Sequence, residues 1–256
     1  MISLEGENYI KNIKSKLFEI VCELYGNNKI VFQDLGEKQH DYHDKVSYNK
    51  SISERNYWKI DDKFSYLIDL TPFYHSIKNT EIGILTGKVR RLDLPSPQHL
   101  HCFHQYDIFI KNLTFDKLKL QSKELLQKLF YKKKINIKFV KDETNVFNYG
   151  KEVYEILVNG IEIGSIGTIE EKNLICISFG LERLIMIRNN FDDIRQIWYN
   201  IHPNELLITK KYIINQDDYS IFVKKLNENR ENIYNVDMNY KTNNVIELLV
   251  TCNSNY

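Results

Sequence analysis

The sequence predicts an α+β fold, and three observations carry that reading. Near the N-terminus Ile10, Ile13, Leu17, Val21 and Leu24 fall on one face of a helix. Further on, short segments alternate with period two, and one pair is joined by Asn159-Gly160, the dipeptide of a type I′ hairpin. Finally, the chain passes from a buried strand, Leu174-Ile175-Cys176-Ile177, through Ser178-Phe179-Gly180 into a helix with Leu181, Leu184, Ile185 and Arg188 at helical spacing.

A chain of 256 residues suits one large domain, or one domain with a small appendage. Its hydrophobic fraction of 43% supplies a core, and 27% charged residues suit a protein with a wet surface. A net charge of +1 gives no global attraction for nucleic acid, so any such partner must meet a local patch. The four cysteines form no CxxC pair, which argues against disulfides and structural zinc and for a reducing cytoplasm. No apolar run is long enough to span a bilayer, and no membrane association is expected.

In chain order, the first helix stops at Gly26, and Lys29-Ile30-Val31-Phe32 reads as a short strand. Residues 36–62 are polar and read as a surface excursion. His40, Asp41, His43 and Asp44 within it make no metal site, because a solvated polar run lacking cysteine is common by chance. Residues 65–70 are strand-like, and Thr71-Pro72 opens a helix with proline in its favoured first turn. Residues 82–89 form an apolar strand with glycines, followed by Arg90-Arg91-Leu92-Asp93, a loop with Pro95 and Pro97, and a returning strand from His99 to Asp107. Charges stand here where a half-buried hairpin should be quiet. Phe115, Leu118, Leu125 and Leu129 mark a helix with Thr114 as its cap. Lys132, Lys133 and Lys134 then form a solvated basic run that can also meet RNA phosphates, and Ile135, Ile137 and Phe139 alternate as a strand. After residue 200 the pattern reads strand (212–214), helix (219–226) and hairpin (233–240 with 245–250), a small β-α-β-β appendage.

In the helix after Gly180, Arg183 stands in the first turn, where the dipole prefers anions. Taken alone it is either a structural arginine or a guanidinium aimed at phosphate. Ser178-Phe179-Gly180-Leu181-Glu182-Arg183-Leu184 resembles motif 3 of the class II aminoacyl-tRNA synthetases, with serine where phenylalanyl enzymes usually have another glycine. Asn190-Phe191-Asp192-Asp193-Ile194-Arg195 resembles the continuation of that motif in phenylalanyl-tRNA synthetase catalytic subunits. The step from Gly87 through Arg91 and Asp93 to Phe103-His104-Gln105 resembles motif 2 at the phenylalanyl spacing. The first helix and strand are similar to motif 1, without its proline.

The resemblance, closest to the phenylalanyl and pyrrolysyl subclass, covers most of residues 10–200. It implies a mainly antiparallel sheet flanked by helices, with residues 1–200 as catalytic domain and 201–256 as an appendage of unknown role. It implies ATP and Mg²⁺ as cofactors, a homodimer, and amino-acid activation as an adenylate followed by transfer to the tRNA acceptor end. Arg91 and Arg183 then serve the phosphates as the catalytic pair. Asp93 holds Arg91 or the loop, His99 faces ATP, and Phe103 offers a ring for adenine. Gln105 and Asp107 meet the substrate ammonium, with aspartate where the family has glutamate. Glu162 takes the Mg²⁺ role, with Ser165 and Glu155 behind it, and Tyr149 matches a pocket-closing tyrosine of pyrrolysyl enzymes. His99, His101 and His104 face ATP and the acceptor end under this reading and hold no zinc. Because the appendage is short for an anticodon-binding domain, two alternatives stay open. One is a paralog that hands the activated amino acid to another acyl acceptor, a carrier-protein thiol or a biosynthetic intermediate. The other is a non-catalytic regulatory binding module.

Overall fold

The computed structural model describes residues 4–26, 30–36, 39–41, 64–77, 80–91, 96–143, 152–169, 174–198, 207–215, 218–228, 233–242 and 245–253. Of the residues singled out above, Asp93 and Tyr149 lie outside the described residues, as do His43, Asp44 and Pro95. Helix α1 (Leu4–Tyr25) is followed by strands β1 (Ile30–Asp34), β2 (Gln39–Asp41) and β3 (Phe64–Tyr66). A 3-10 helix (Thr71–Ile77) leads into β4 (Ile82–Arg90), β5 (Cys102–Lys111), α2 (Phe115–Leu129) and β6 (Ile137–Lys141). Then come β7 (Val153–Val158), β8 (Ile161–Ile169), β9 (Leu174–Gly180), α3 (Leu181–Asn189) and a 3-10 turn (Ile194–Ile197). The chain closes with β10 (Leu207–Asn215), α4 (Tyr219–Glu228), β11 (Ile233–Thr242) and β12 (Val245–Asn253).

Seven strands form one sheet in the order β1-β4-β5-β9-β8-β7-β6. Only the β1–β4 pair is parallel. Strand alternation divides the residues of β5 and β9 between two faces. Tyr106, Ile108, Ile110, Ile175, Ile177 and Phe179 join one core with α1, α2 and α3. The opposite face is covered by Tyr74 and Ile77 of the first 3-10 helix and by Leu35, Leu67 and Leu70. The β10-β12-β11 sheet has its own cluster of Ile246, Leu248 and Val250, with Phe222 of α4 packed on it. This matches the expected β-α-β-β order.

Local chemistry explains both the agreements and the departures. Asn159 and Gly160 both adopt positive φ (53° and 86°), as a type I′ turn requires. The strand expected at 65–70 ends at Tyr66. Asp69 accepts from the Thr71 amide at 3.2 Å, and the Phe73 amide donates to the Leu70 carbonyl at 2.9 Å, so the helix expected at Thr71-Pro72 takes the 3-10 form. Thr114 occupies the cap position of α2 in extended conformation, but its hydroxyl caps nothing. Ser178-Phe179-Gly180, the passage from strand to helix, continues the strand to its end: these residues stay paired with Asp107, Tyr106 and Gln105, and Gly180 has an ordinary φ of −84°.

Candidate active site

The site face of the sheet is built from the strand positions that miss the helix-side core. One row of register partners crosses it: Leu85 on β4, Asp107 on β5, Ser178 on β9, Ser165 on β8 and Glu155 on β7. At the centre of this row sits a buried polar cluster. Ser178 Oγ donates to Asp107 at 2.6 Å, and Thr71 Oγ1 lies 2.9 Å from Asp107 and 3.2 Å from Asp69. Gln105 Nε2 reaches Asp69 at 2.5 Å, both oxygens of Asp107 at 2.9 and 3.0 Å, and Ser178 at 3.1 Å. Its Oε1, also buried, has no hydrogen-bond partner among the described residues. An acceptor left open beside two carboxylates is suited to an ammonium group, which brings three donors and a positive charge.

Electrostatics sharpen the point. Burial, and next the charge of Asp69, push the Asp107 carboxyl up to about 7, against the hydrogen bonds from Ser178, Gln105 and Thr71. Burial and then the charges of Asp107 and Asp69 raise the Cys176 thiol well above its usual value, so it is not a nucleophile.

Two arginines border this cluster. Arg91, just past β4, donates through Nε to the Ile68 carbonyl at 2.8 Å, and its guanidinium lies 5.0 Å from the Phe103 ring centroid. Arg183, in the first turn of α3, donates through Nε to the Gln98 carbonyl at 3.0 Å. Its Nη1 reaches the Glu162 carbonyl at 2.9 Å and the Glu162 carboxylate at 2.7 Å. Arg183 therefore ties the β4–β5 loop to β8. Its neighbour Glu182 is buried and accepts from the His104 amide and from His104 Nδ1 at 2.7 Å, while the His104 ring stacks on Trp198 at 5.8 Å. The start of α3 is thereby fixed against β5.

The expected residues thus divide into groups. Gln105 and Asp107 come together with Ser178 and, unforeseen, Asp69 and Thr71. Arg183 and Glu162 meet directly. Arg91 covers Phe103. Glu155 and Ser165 are cross-strand neighbours, and burial, then the charges of Glu162 and Asp142, raise the Glu155 carboxyl while Arg183 opposes. His99 Nδ1 lies 2.7 Å from Ser96 Oγ in the loop, and His101 and His104 are engaged separately. Asp69 is visible in the sequence as an acid between apolar residues, Leu67-Ile68-Asp69-Leu70, a warning of a buried charge. Glu182, an acid in the first turn of an apolar helix, and Ser178, a serine at a glycine position, stand out too, but neither pattern names its partner.

The donor set fits a nucleotide with a hard cation. Two arginines suit phosphates, and the hard carboxylate oxygens of Glu155 and Glu162 on adjoining strands suit Mg²⁺, which keeps waters and phosphate oxygens as further ligands. At Gly180 an added Cβ would meet only the Ile163 carbonyl oxygen, at 4.0 Å, so the backbone between Gln105 and Arg183 is open to close approach.

Residues 77–207 match the family described as tRNA synthetases class II core domain (F), a span of just over half the chain. The chain belongs to the class II aminoacyl-tRNA synthetases. The matched span takes in β4 and β5 with their loop and β9 running into α3, the two segments whose sequences resemble motifs 2 and 3. Among the solved structures that share the fold are two of pyrrolysyl-tRNA synthetases from Desulfitobacterium hafniense. One has a TM-score of 0.58 at 14% identity, covering 75% of this chain and 73% of that one. The other has a TM-score of 0.56 at 13% identity, covering 75% and 78%. No curated protein matches by sequence. Class II synthetases are ligases that use ATP and Mg²⁺, and amino acid and tRNA are their substrates. Among the described residues no helix of this synthetase is long and apolar enough to cross a membrane.

Proposed function

We propose that this synthetase activates an amino acid as its adenylate and passes the aminoacyl group to the end of a tRNA. The observation that carries the reading is one sheet face holding two arginines beside a buried acceptor cluster for an ammonium. An oxygen of the amino-acid carboxylate attacks the α-phosphorus of ATP. The bond from that phosphorus to the bridging oxygen breaks, and pyrophosphate leaves with the electron pair. No protein nucleophile takes part. Arg91 swings from Phe103 onto the α-phosphate and the carboxylate, which frees the ring for adenine, and Arg183 meets the γ-phosphate. Asp93 supports Arg91, and His99 lines the loop. Asp69, Gln105 and Asp107 hold the ammonium, and Tyr149 closes the amino-acid pocket. Positioning and charge neutralisation supply the rate. Glu162, with Ser165 and Glu155 behind it, would hold the cation, and Mg²⁺ there would supply charge neutralisation for the pyrophosphate oxygens.

We place the active form as a homodimer in a reducing cytoplasm. β1 is the edge of the sheet, and Phe18, Val31 and Phe32 beside it are exposed, with Phe18 and Phe32 edge to face at 5.7 Å. An apolar patch next to an open strand suits a second copy. Among the described residues Cys22 and Cys176 stand in no disulfide, which suits the compartment. Residues 1–200 form the catalytic unit and 201–256 the appendage.

The test is ATP–pyrophosphate exchange across a panel of amino acids, run beside acylation of bulk tRNA. Exchange with one amino acid and labelled tRNA is the expected result. Exchange without labelling moves the acceptor to a carrier thiol or a biosynthetic intermediate. No exchange with any amino acid leaves the regulatory binding module.

A further inference from the structure

Between residues 115 and 141 the chain carries nine lysines against two acids, although its net charge is only +1. They lie on α2, the turn after it, and β6. Two of them have structural partners. Lys128 meets Glu23 at 3.1 Å, and Lys133 reaches the Ile187 carbonyl at 3.0 Å and Asn190 Oδ1 at the end of α3. Lys117, Lys119, Lys123, Lys132, Lys134, Lys138 and Lys141 form no ion pair with a described carboxylate.

These ammonium groups are arranged along one edge of the molecule. β6 is the last strand of the sheet, and α2 packs beside it. Lys119 Nζ lies 3.6 Å from the Tyr154 centroid and 4.8 Å from that of Phe115. Lys123 lies 6.0 Å from Phe139, and Lys132 lies 5.5 Å from Tyr131, a ring 76% exposed. Cation–π contacts hold the first two lysines in place, so a polyanion meets charges already positioned. Lysines on an edge strand also block edge-to-edge pairing, which accounts for Lys138 and Lys141. It does not account for those on the helix and turn, or for an exposed tyrosine among them.

The strip also runs into the active site. Register partners carry Lys138 on β6 through Leu157 on β7 to Glu162 on β8, all on one row. Two strand spacings separate Lys138 from Glu162, about 10 Å. A chain of phosphates lying on the strip therefore ends within one nucleotide or two of Arg183.

We propose that the α2–β6 edge is a docking surface for the phosphate backbone of a structured RNA, which it leads over the sheet edge toward Glu162 and Arg183. The proposal rests on the synthetase reading and adds the surface to it. Recognition is of backbone charge, with Tyr131 available to stack on an unpaired base. The net charge near zero explains why the chain as a whole shows no basic character: acids elsewhere confine attraction to this edge.

The test uses the full chain and the triple variant Lys132→Gln, Lys134→Gln, Lys138→Gln. Lys133 is left intact because it caps α3. Binding of bulk cellular tRNA is followed by fluorescence anisotropy over a salt series, and ATP–pyrophosphate exchange is measured on the same samples. Exchange is expected to stay within about twofold of wild type, while tRNA affinity falls at least about tenfold and the log–log salt slope drops by about 2. The triple arginine variant at these positions restores both. Unchanged affinity and slope in the glutamine variant overturn the surface, as does competition by polyglutamate equal to that by tRNA. Exchange absent from wild type while the tRNA result holds sinks the synthetase chemistry and leaves the surface standing.

Discussion

The two faces of the central sheet are made from the same strands and do opposite work. On the helix side, Tyr106, Ile108, Ile175, Ile177 and Phe179 are buried against α1, α2 and α3 and have no charge to hold. On the other side, one residue along, stand Gln105, Asp107, Cys176 and Ser178. Burial is as deep on both: Asp107 and Ile108 are each 0% exposed. What differs is the energetic sign. Burying Ile108 contributes stability, whereas burying Asp107 beside Asp69 costs it, and the fold carries that cost where a ligand can relieve it. Stability and chemistry are thus separated by the two-residue period of the strand, and a one-residue slip would exchange them.

That separation is breakable by mutation. The largest effect belongs to the arginines. Arg183→Ala and Arg91→Ala should each lower exchange by about a hundredfold to a thousandfold, about 3–4 kcal/mol of transition-state stabilisation. The folded state should persist, since each side chain is anchored to carbonyls at the rim of the site face. Full exchange in either purified variant would remove that arginine from the phosphate site.

Asp107→Asn tests the costly face directly. The Asp107 carboxyl sits at about 7 in the fold against an ordinary value of 3.8, so the folded state binds its proton more tightly than the unfolded chain. The stability this contributes is full below about pH 4 and is lost as pH rises through about 7. Thermal midpoints of wild type should therefore slope downward over that window, and the asparagine variant should flatten the slope. Its KM for the amino acid should rise at least about tenfold, the loss of one charge-assisted hydrogen bond. A variant with an unchanged slope would mean that Asp107 is not the titrating group.

Ile177→Val is the mirror experiment on the apolar face. Removing one methylene from a fully buried site should cost about 1 kcal/mol, a fall of about 2–4 °C in midpoint, with exchange per folded molecule unchanged. Loss of exchange out of proportion to folding would show that the two faces are coupled.

The apolar face is legible in the sequence because its code is local. Alternation in Ile175 and Ile177, helical spacing in Ile10 to Leu24, and the Asn159-Gly160 turn each announce themselves within a few residues. The polar cluster is legible only in part. Gln105 and Asp107 stand out because they share one short motif, but Asp69 and Thr71 reach them from 36 residues away. Nothing in the chain between them encodes that meeting. The helix expected at Thr71 forms as a 3-10 helix, and the Asp69 side chain accepts from the Thr71 amide at its start. Ser178 reads as a departure from a glycine motif, and the fold uses its hydroxyl on Asp107.

The smallest expected effect lies at the boundary between protein charge and bound cation. Glu162 is 43% exposed at its side chain and pairs with Arg183 at 2.7 Å. An ion pair this wet contributes at most about 1 kcal/mol, so Glu162→Gln should leave the midpoint nearly unchanged. Arg183 also keeps its contacts to the Glu162 and Gln98 carbonyls, which the substitution does not touch. The carboxylate charge is what is lost, and with it a hard ligand for Mg²⁺ and one of the charges that raise Glu155. Calorimetry should then find ATP affinity reduced severalfold with Mg²⁺ present and little altered without it. If both titrations match wild type, the cation is held elsewhere, and the Glu162–Arg183 pair belongs to the scaffold of the site face.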